Sequence, residues 1–146
     1  MSLSLNNKGT AGLMTPEHAR EMADQMEALI ATLPAAECRL NCYMLPGMYV
    51  KELTIPAGVV LSGHTHLTEH AFIVSKGDHS FWTAGTGAVR VRAPFFGITK
   101  PGTRRIGFSH EETVWTTFHP NPDNLTAEEI DALILAPWDN QYIKKL

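Results

Sequence analysis

Two periodicities divide the chain. Between residues 15 and 33, Met22, Met26, Leu29, Ile30 and Leu33 recur three and four apart, the spacing that gathers apolar side chains into one stripe of an α-helix. Thr15-Pro16-Glu17 opens this helix: the threonine caps free amides, proline suits the first helical position, and the glutamate faces the positive end of the dipole. Pro34 ends it. From Cys38 to His119 the pattern shortens to β-rich runs punctuated by Pro46-Gly47, Pro56-Ala57-Gly58, Lys76-Gly77-Asp78, Gly85-Thr86-Gly87 and Pro101-Gly102, which predicts many short strands joined by tight turns. A second helix follows at about 126–136. Thr126-x-x-Glu129 forms a capping box, Ile130, Leu133 and Ile134 share a face, and Pro137 stops it.

This order of elements predicts an all-β barrel or sandwich flanked by two helices. No repeat or linker divides it, so residues 15–146 read as a single domain behind a flexible lead at 1–14. A loop from Ser109 to Glu112 would pair Phe108 with Thr113 in a hairpin. That register sets Arg105 opposite Thr116 and turns His119 to the other face, so that only one of Arg105 and His119 looks inward.

Composition narrows the function classes. A net charge of −3 over 146 residues, with no Lys/Arg-rich run, gives no electrostatic reason to expect nucleic acid or an anionic membrane. No apolar run approaches the roughly 20 residues of a membrane helix. The polar start, MSLSLNNKGTAG, lacks a signal peptide's basic head and apolar middle, so a cytoplasmic protein is expected. Cys38 and Cys42 read as two reduced thiols rather than a disulfide framework.

The chemistry concentrates in GVVLSGHTHLTEHAFIVSKG, Gly58 to Gly77. If this stretch is one extended strand, His64, His66 and His70 share a face and Glu69 points away. Converging neutral imidazoles suit a borderline divalent metal, and three protein ligands with an open position describe many catalytic metal sites.

The spacing Gly58, five residues, His64-x-His66, three residues, His70, six residues, Gly77 resembles the first motif of the cupins, small jelly-roll β-barrels. That family usually carries glutamate where this chain has His70, so the resemblance is to the three-histidine variant of cupin dioxygenases. It implies a double-stranded β-helix holding one divalent metal (iron, manganese, nickel or zinc) through His64, His66 and His70. It also implies a small-molecule partner and a homodimer, for which the Met-rich first helix offers a surface.

The second cupin motif would supply a fourth histidine where Arg105 stands. A guanidinium cannot ligate a cation, but its fork suits a substrate carboxylate or phosphate. His119 is the alternative fourth ligand. His79 and His110, each beside a polar turn, are expected in solvent, and Trp82 and Trp115 in the core or a pocket wall. Glu52, on a strand neighbouring the histidines, offers a general base, although a solvated glutamate is the commoner case.

Two function classes follow. One is a metal-dependent enzyme, a dioxygenase or lyase. The other is a non-catalytic module that binds a small ligand or holds metal structurally, a role suggested by similarity of the run from Pro46 to His119 to small cupin proteins of phage and prophage genomes. A metal-free epimerase of the same fold would need one histidine base and leaves the triplet unexplained.

Overall fold

The computed structural model describes residues 15–139 and 141–146; the expected lead at 1–14 lies outside them. Helix α1 (Pro16–Ala31) starts as its sequence dictates, with Thr15 Oγ1 accepting from the His18 amide at 3.2 Å. Its buried face is Ala19, Ala23, Glu27 and Ile30, while Leu29, expected in the stripe, is 70% exposed. The two alanines permit close approach, and Glu27 tolerates burial because Arg104 and Ser62 both donate to its carboxylate.

Ten strands follow among the described residues: β1 (Arg39–Leu45), β2 (Gly47–Ile55), β3 (Val59–Ser62), β4 (His70–Lys76), β5 (Asp78–Thr83), β6 (Gly87–Arg92), β7 (Phe95–Thr99), β8 (Arg105–Ser109), β9 (Thr113–Asn121) and, after helix α2 (Ala127–Ile134), β10 (Tyr142–Lys145). They form two five-stranded sheets, ordered β1-β2-β9-β4-β7 and β10-β3-β8-β5-β6, with every pairing antiparallel. This is a jelly roll. Pro46-Gly47 and the segment between Thr83 and Gly87 turn the local hairpins, Leu45 pairing Met48 and Thr83 pairing Gly87.

Two sequence expectations are corrected. Phe108 and Thr113 do not pair: Phe108 lies between Val60 and Ser80, whereas Thr113 pairs with Ile55. The loop between them carries the chain from one sheet to the other. The stretch from Gly58 to Gly77 is likewise not one strand, because β3 and β4 belong to different sheets. Residues 63–69 cross between them and direct their backbone groups elsewhere. The Gly63 amide donates to Arg105 O, the Leu67 amide to Ile134 O, and Thr65 O accepts from Ala136.

Trp115 joins two core clusters, one around Ile55, Val59 and Leu61 and the other around Phe72, Val74 and Val91. Ile130 and Ile134 of α2 pack on Tyr49 to form a third. Strand β10, too short to stand out in the sequence, completes the second sheet along β3.

Candidate metal centre and cavity

His66, His70 and His119 come together. One ring nitrogen from each lies within 4.8 Å of the others. The His66 and His70 rings are 4.4 Å apart between centroids, His70 and His119 4.4 Å, and His66 and His119 5.5 Å. His70 opens β4, His119 lies near the end of β9, and His66 is held between them by a bridge to Leu135 and by Gly102, whose amide donates to His66 O at 2.8 Å. His64 is not one of these three; it stands on the wall of the neighbouring cavity.

The donor set suits a divalent cation. The His70 Nδ1–H donates to the Thr68 carbonyl at 3.2 Å, leaving Nε2 with the lone pair. His119 is fully buried; its Nε2 sits 2.8 Å from Thr117 Oγ1, and its Nδ1 is buried without a partner among the described residues. An orphaned imidazole nitrogen beside two other imidazoles would be satisfied by a shared Lewis acid. Burial, reinforced by the neighbouring imidazoles and Lys51, holds His66 and His119 down at about 3. Burial also lowers His70, opposed by its bond to Thr68 O. Neutral rings keep the lone pairs that ligation needs.

His66 and Thr117 open onto a cavity of about 520 Å³ walled by Leu53, Ile55, Leu61 and Trp115 and bordered by Arg105. Arg105 and His119 were expected on opposite faces of one hairpin; because β8 and β9 lie in different sheets, both turn inward. The Arg105 guanidinium lies over the rings of Phe72, Phe81 and Trp115, at 5.0, 5.2 and 5.8 Å from their centroids, and Nη1 donates to Thr99 Oγ1 at 2.8 Å. Burial lowers its pKa to about 10, so it stays charged at neutral pH.

Further polar groups line the same wall. Lys51 Nζ is 3.0 Å from Asp131 Oδ1, and the Tyr49 hydroxyl donates to Asp131 Oδ2 at 3.3 Å. Burial, then contact with Cys42 and Asp131, raises the Tyr49 pKa. Lys51 was not singled out from the sequence, where strand alternation with Tyr49 and Leu53 was the available signal, and Asp131, on α2, left none. Glu52 faces outward and accepts from Asn41 at 3.2 Å. His110 is exposed as expected, whereas His79 is buried, with Nδ1 2.8 Å from Ser109 Oγ. Trp115 is in the core and Trp82 is half-buried.

No protein-family model matches the sequence, and no curated protein matches it. Among solved structures, the chain superposes on ectoine synthase from P. lautus with a TM-score of 0.54 at 13% identity, covering 80% of this chain and 85% of that one. It superposes on salicylate 1,2-dioxygenase from Pseudaminobacter salicylatoxidans with a TM-score of 0.53 at 12% identity, covering 86% of this chain and 36% of that one. A cupin-2 domain protein from Shewanella frigidimarina gives a TM-score of 0.46 at 13% identity, over 68% of this chain and 92% of that one. At such identities the likeness is one of fold, and the fold is the cupin jelly roll.

Proposed function

We propose that this cupin-fold chain holds one divalent metal on His66, His70 and His119 and uses it on a small molecule admitted through the adjoining cavity. The observation that carries the reading is the fully buried His119, whose Nδ1 has no hydrogen-bond partner among the described residues and stands beside two other imidazoles. Bound there, a metal would act as a Lewis acid, or as a redox centre if it were iron. The protein's own part is to fix the rings: Thr68 O sets the His70 tautomer, Thr117 Oγ1 holds His119, and the backbone bond to Gly102 anchors His66. Lys51, tied to Asp131, sets a positive charge beside the imidazoles and disfavours their protonation.

Titration with cobalt(II) tests this reading. A stoichiometric visible d–d spectrum of the intensity given by low-coordinate sites is expected, and its absence contradicts the reading. Salicylate dioxygenase and ectoine synthase share the fold, which supports catalysis over a purely structural role without selecting a reaction.

We also propose a second copy of this chain as a partner, through a face other than the helix suggested by sequence. Helix α1 turns Ala19, Ala23 and Ile30 inward. The outer face of β1-β2-β9-β4-β7 instead carries a row in which Tyr43, Val50, Phe118, Ala71 and Ile98 are successive cross-strand neighbours. Ile98 is 47% exposed. Five strands at about 4.8 Å spacing offer on the order of 600 Å² per copy, near the roughly 800 Å² of a stable dimer.

A further inference from the structure

Three side-chain nitrogens among the described residues are buried with no hydrogen-bond partner: His119 Nδ1, His64 Nδ1 and Arg105 Nε. The first belongs to the imidazole trio. The other two border the same cavity, and a metal does not account for Arg105, since a guanidinium has no lone pair to give.

Arg105 differs from the other interior cations in its surroundings. Arg104 is paired with Glu27 and Asp24, and Lys51 with Asp131. Among the described residues Arg105 has no carboxylate partner, only Thr99 Oγ1 and three aromatic faces. A buried cation without an anion is costly unless something supplies the charge. The surroundings also immobilise it. Rings of Phe72, Phe81 and Trp115 fix the guanidinium plane, and the bond from Nη1 to Thr99 fixes its rotation, leaving the Nε edge of the fork unsatisfied. Next to it the Gly63 amide donates to Arg105 O at 3.1 Å, which sets His64 beside the start of β8.

We propose that Arg105 and His64 are the receptor for the head group of a small organic carboxylate whose apolar body fills the cavity. The inference rests on the reading of the cavity as the approach to the metal-binding trio, and it gives that site a substrate class. A carboxylate takes the Nε edge of the guanidinium in a bidentate pair, and its outer oxygen accepts from His64 in the Nδ1–H tautomer. Leu53, Ile55, Leu61, Leu135 and Ile143 supply an apolar part of the cavity wall and favour an apolar body over an inorganic anion. Lys51 is already paired with Asp131, which leaves Arg105 as the cation on this wall that a carboxylate would pair. The volume of about 520 Å³ suits one such molecule.

Isothermal titration calorimetry with hexanoate and phenylacetate tests the proposal, with 1-hexanol and inorganic phosphate as neutral and bodiless controls, on protein whose metal content is measured in parallel. Saturable binding of at least one carboxylate is expected, together with no comparable binding of hexanol or phosphate. In Arg105→Met the carboxylate affinity falls at least tenfold while metal content is unchanged; in His64→Ala it falls several-fold. Arg105→Lys, which keeps the charge but not the fork, is expected to show most of the Arg105→Met loss and serves if the methionine variant does not fold. Equal binding of hexanol and hexanoate, undiminished carboxylate binding in the Arg105 variants, or no binding of either carboxylate by the wild type overturns it. A protein that takes up no added cobalt(II) yet still binds carboxylate through Arg105 refutes the metal reading and leaves this one standing.

Discussion

The imidazoles of His66 and His119 lie 8° from parallel with centroids 5.5 Å apart, although one sits in an irregular crossing and the other near the end of a nine-residue strand. Their meeting depends on β9 lying between β2 and β4, with Phe118 paired to Ala71. That register carries His119 to the level of His70 and the crossing that bears His66. The candidate site is therefore a product of sheet topology, and substitutions that disturb the sheets without replacing one of its histidines should be felt there.

Glycines 97 and 107 are the first place to look. A Cβ on Gly97 would run into the Phe72 ring, and one on Gly107 into His79. Phe72 stacks on Trp115 at 4.4 Å and lies under Arg105, so it has little room to yield. Gly97→Ala and Gly107→Ala should each cost about 1–3 kcal/mol in urea denaturation. Gly63→Ala, which meets nothing nearer than 4.0 Å, should be close to neutral. Equal stability of all three variants would refute the packing argument.

Glu27 fastens α1 to the barrel through Arg104 and Ser62. Glu27→Ala leaves a largely buried arginine with only the exposed Asp24 at 3.6 Å and should destabilise the fold by about 1–3 kcal/mol. Replacing Glu27 and Arg104 together by leucine should recover a good part of that loss. Strict additivity of the two single substitutions in a double-mutant cycle would show that the pair is not coupled.

Acid should expose the buried His79. Burial first, then the nearby His110, hold its pKa at about 4 against 6.5 for a free imidazole, with Asp78 opposing. Because the unfolded chain takes up the proton first, the His79 contribution to stability is intact above pH 6.5. It is lost as pH falls to about 4, by at most about 3 kcal/mol, and is flat below. His79→Gln should flatten the stability profile across this window in chemical denaturation, and an unchanged slope would contradict the assignment.

The sequence disclosed what is decided locally. Thr15-Pro16 starts α1, Pro46-Gly47 turns β1 into β2, and Thr126 caps α2 with its hydroxyl accepting from the Glu129 amide. His66 and His70 were legible because both belong to one short spacing pattern. What stayed hidden depends on distant partners. Whether Phe108 faces Thr113 or Val60 is settled by pairing across the chain, and so is the inward turn of both Arg105 and His119. The buried environment of His79 required Ser109 and Gly107 from another strand. The burial of Glu27 left no signal because Arg104, its partner, lies in a distant loop.

If the outer sheet face joins two copies, sedimentation velocity at micromolar concentration should give a dimer. Val50→Arg, placed between Tyr43 and Phe118, should give a folded monomer. A monomeric wild type, or a variant that still dimerises, would rule out this face.

Metal stoichiometry in two single variants tests the centre most directly. Tag-free wild type, His64→Ala and His119→Ala should be compared by elemental analysis after reconstitution with iron(II), manganese or zinc, with folding checked by circular dichroism. About one metal per chain is expected in the wild type and in His64→Ala, and a loss of tenfold or more in affinity in folded His119→Ala. Metal retained by His119→Ala but lost by His64→Ala, or a wild type that takes up none of the three ions, would contradict the account.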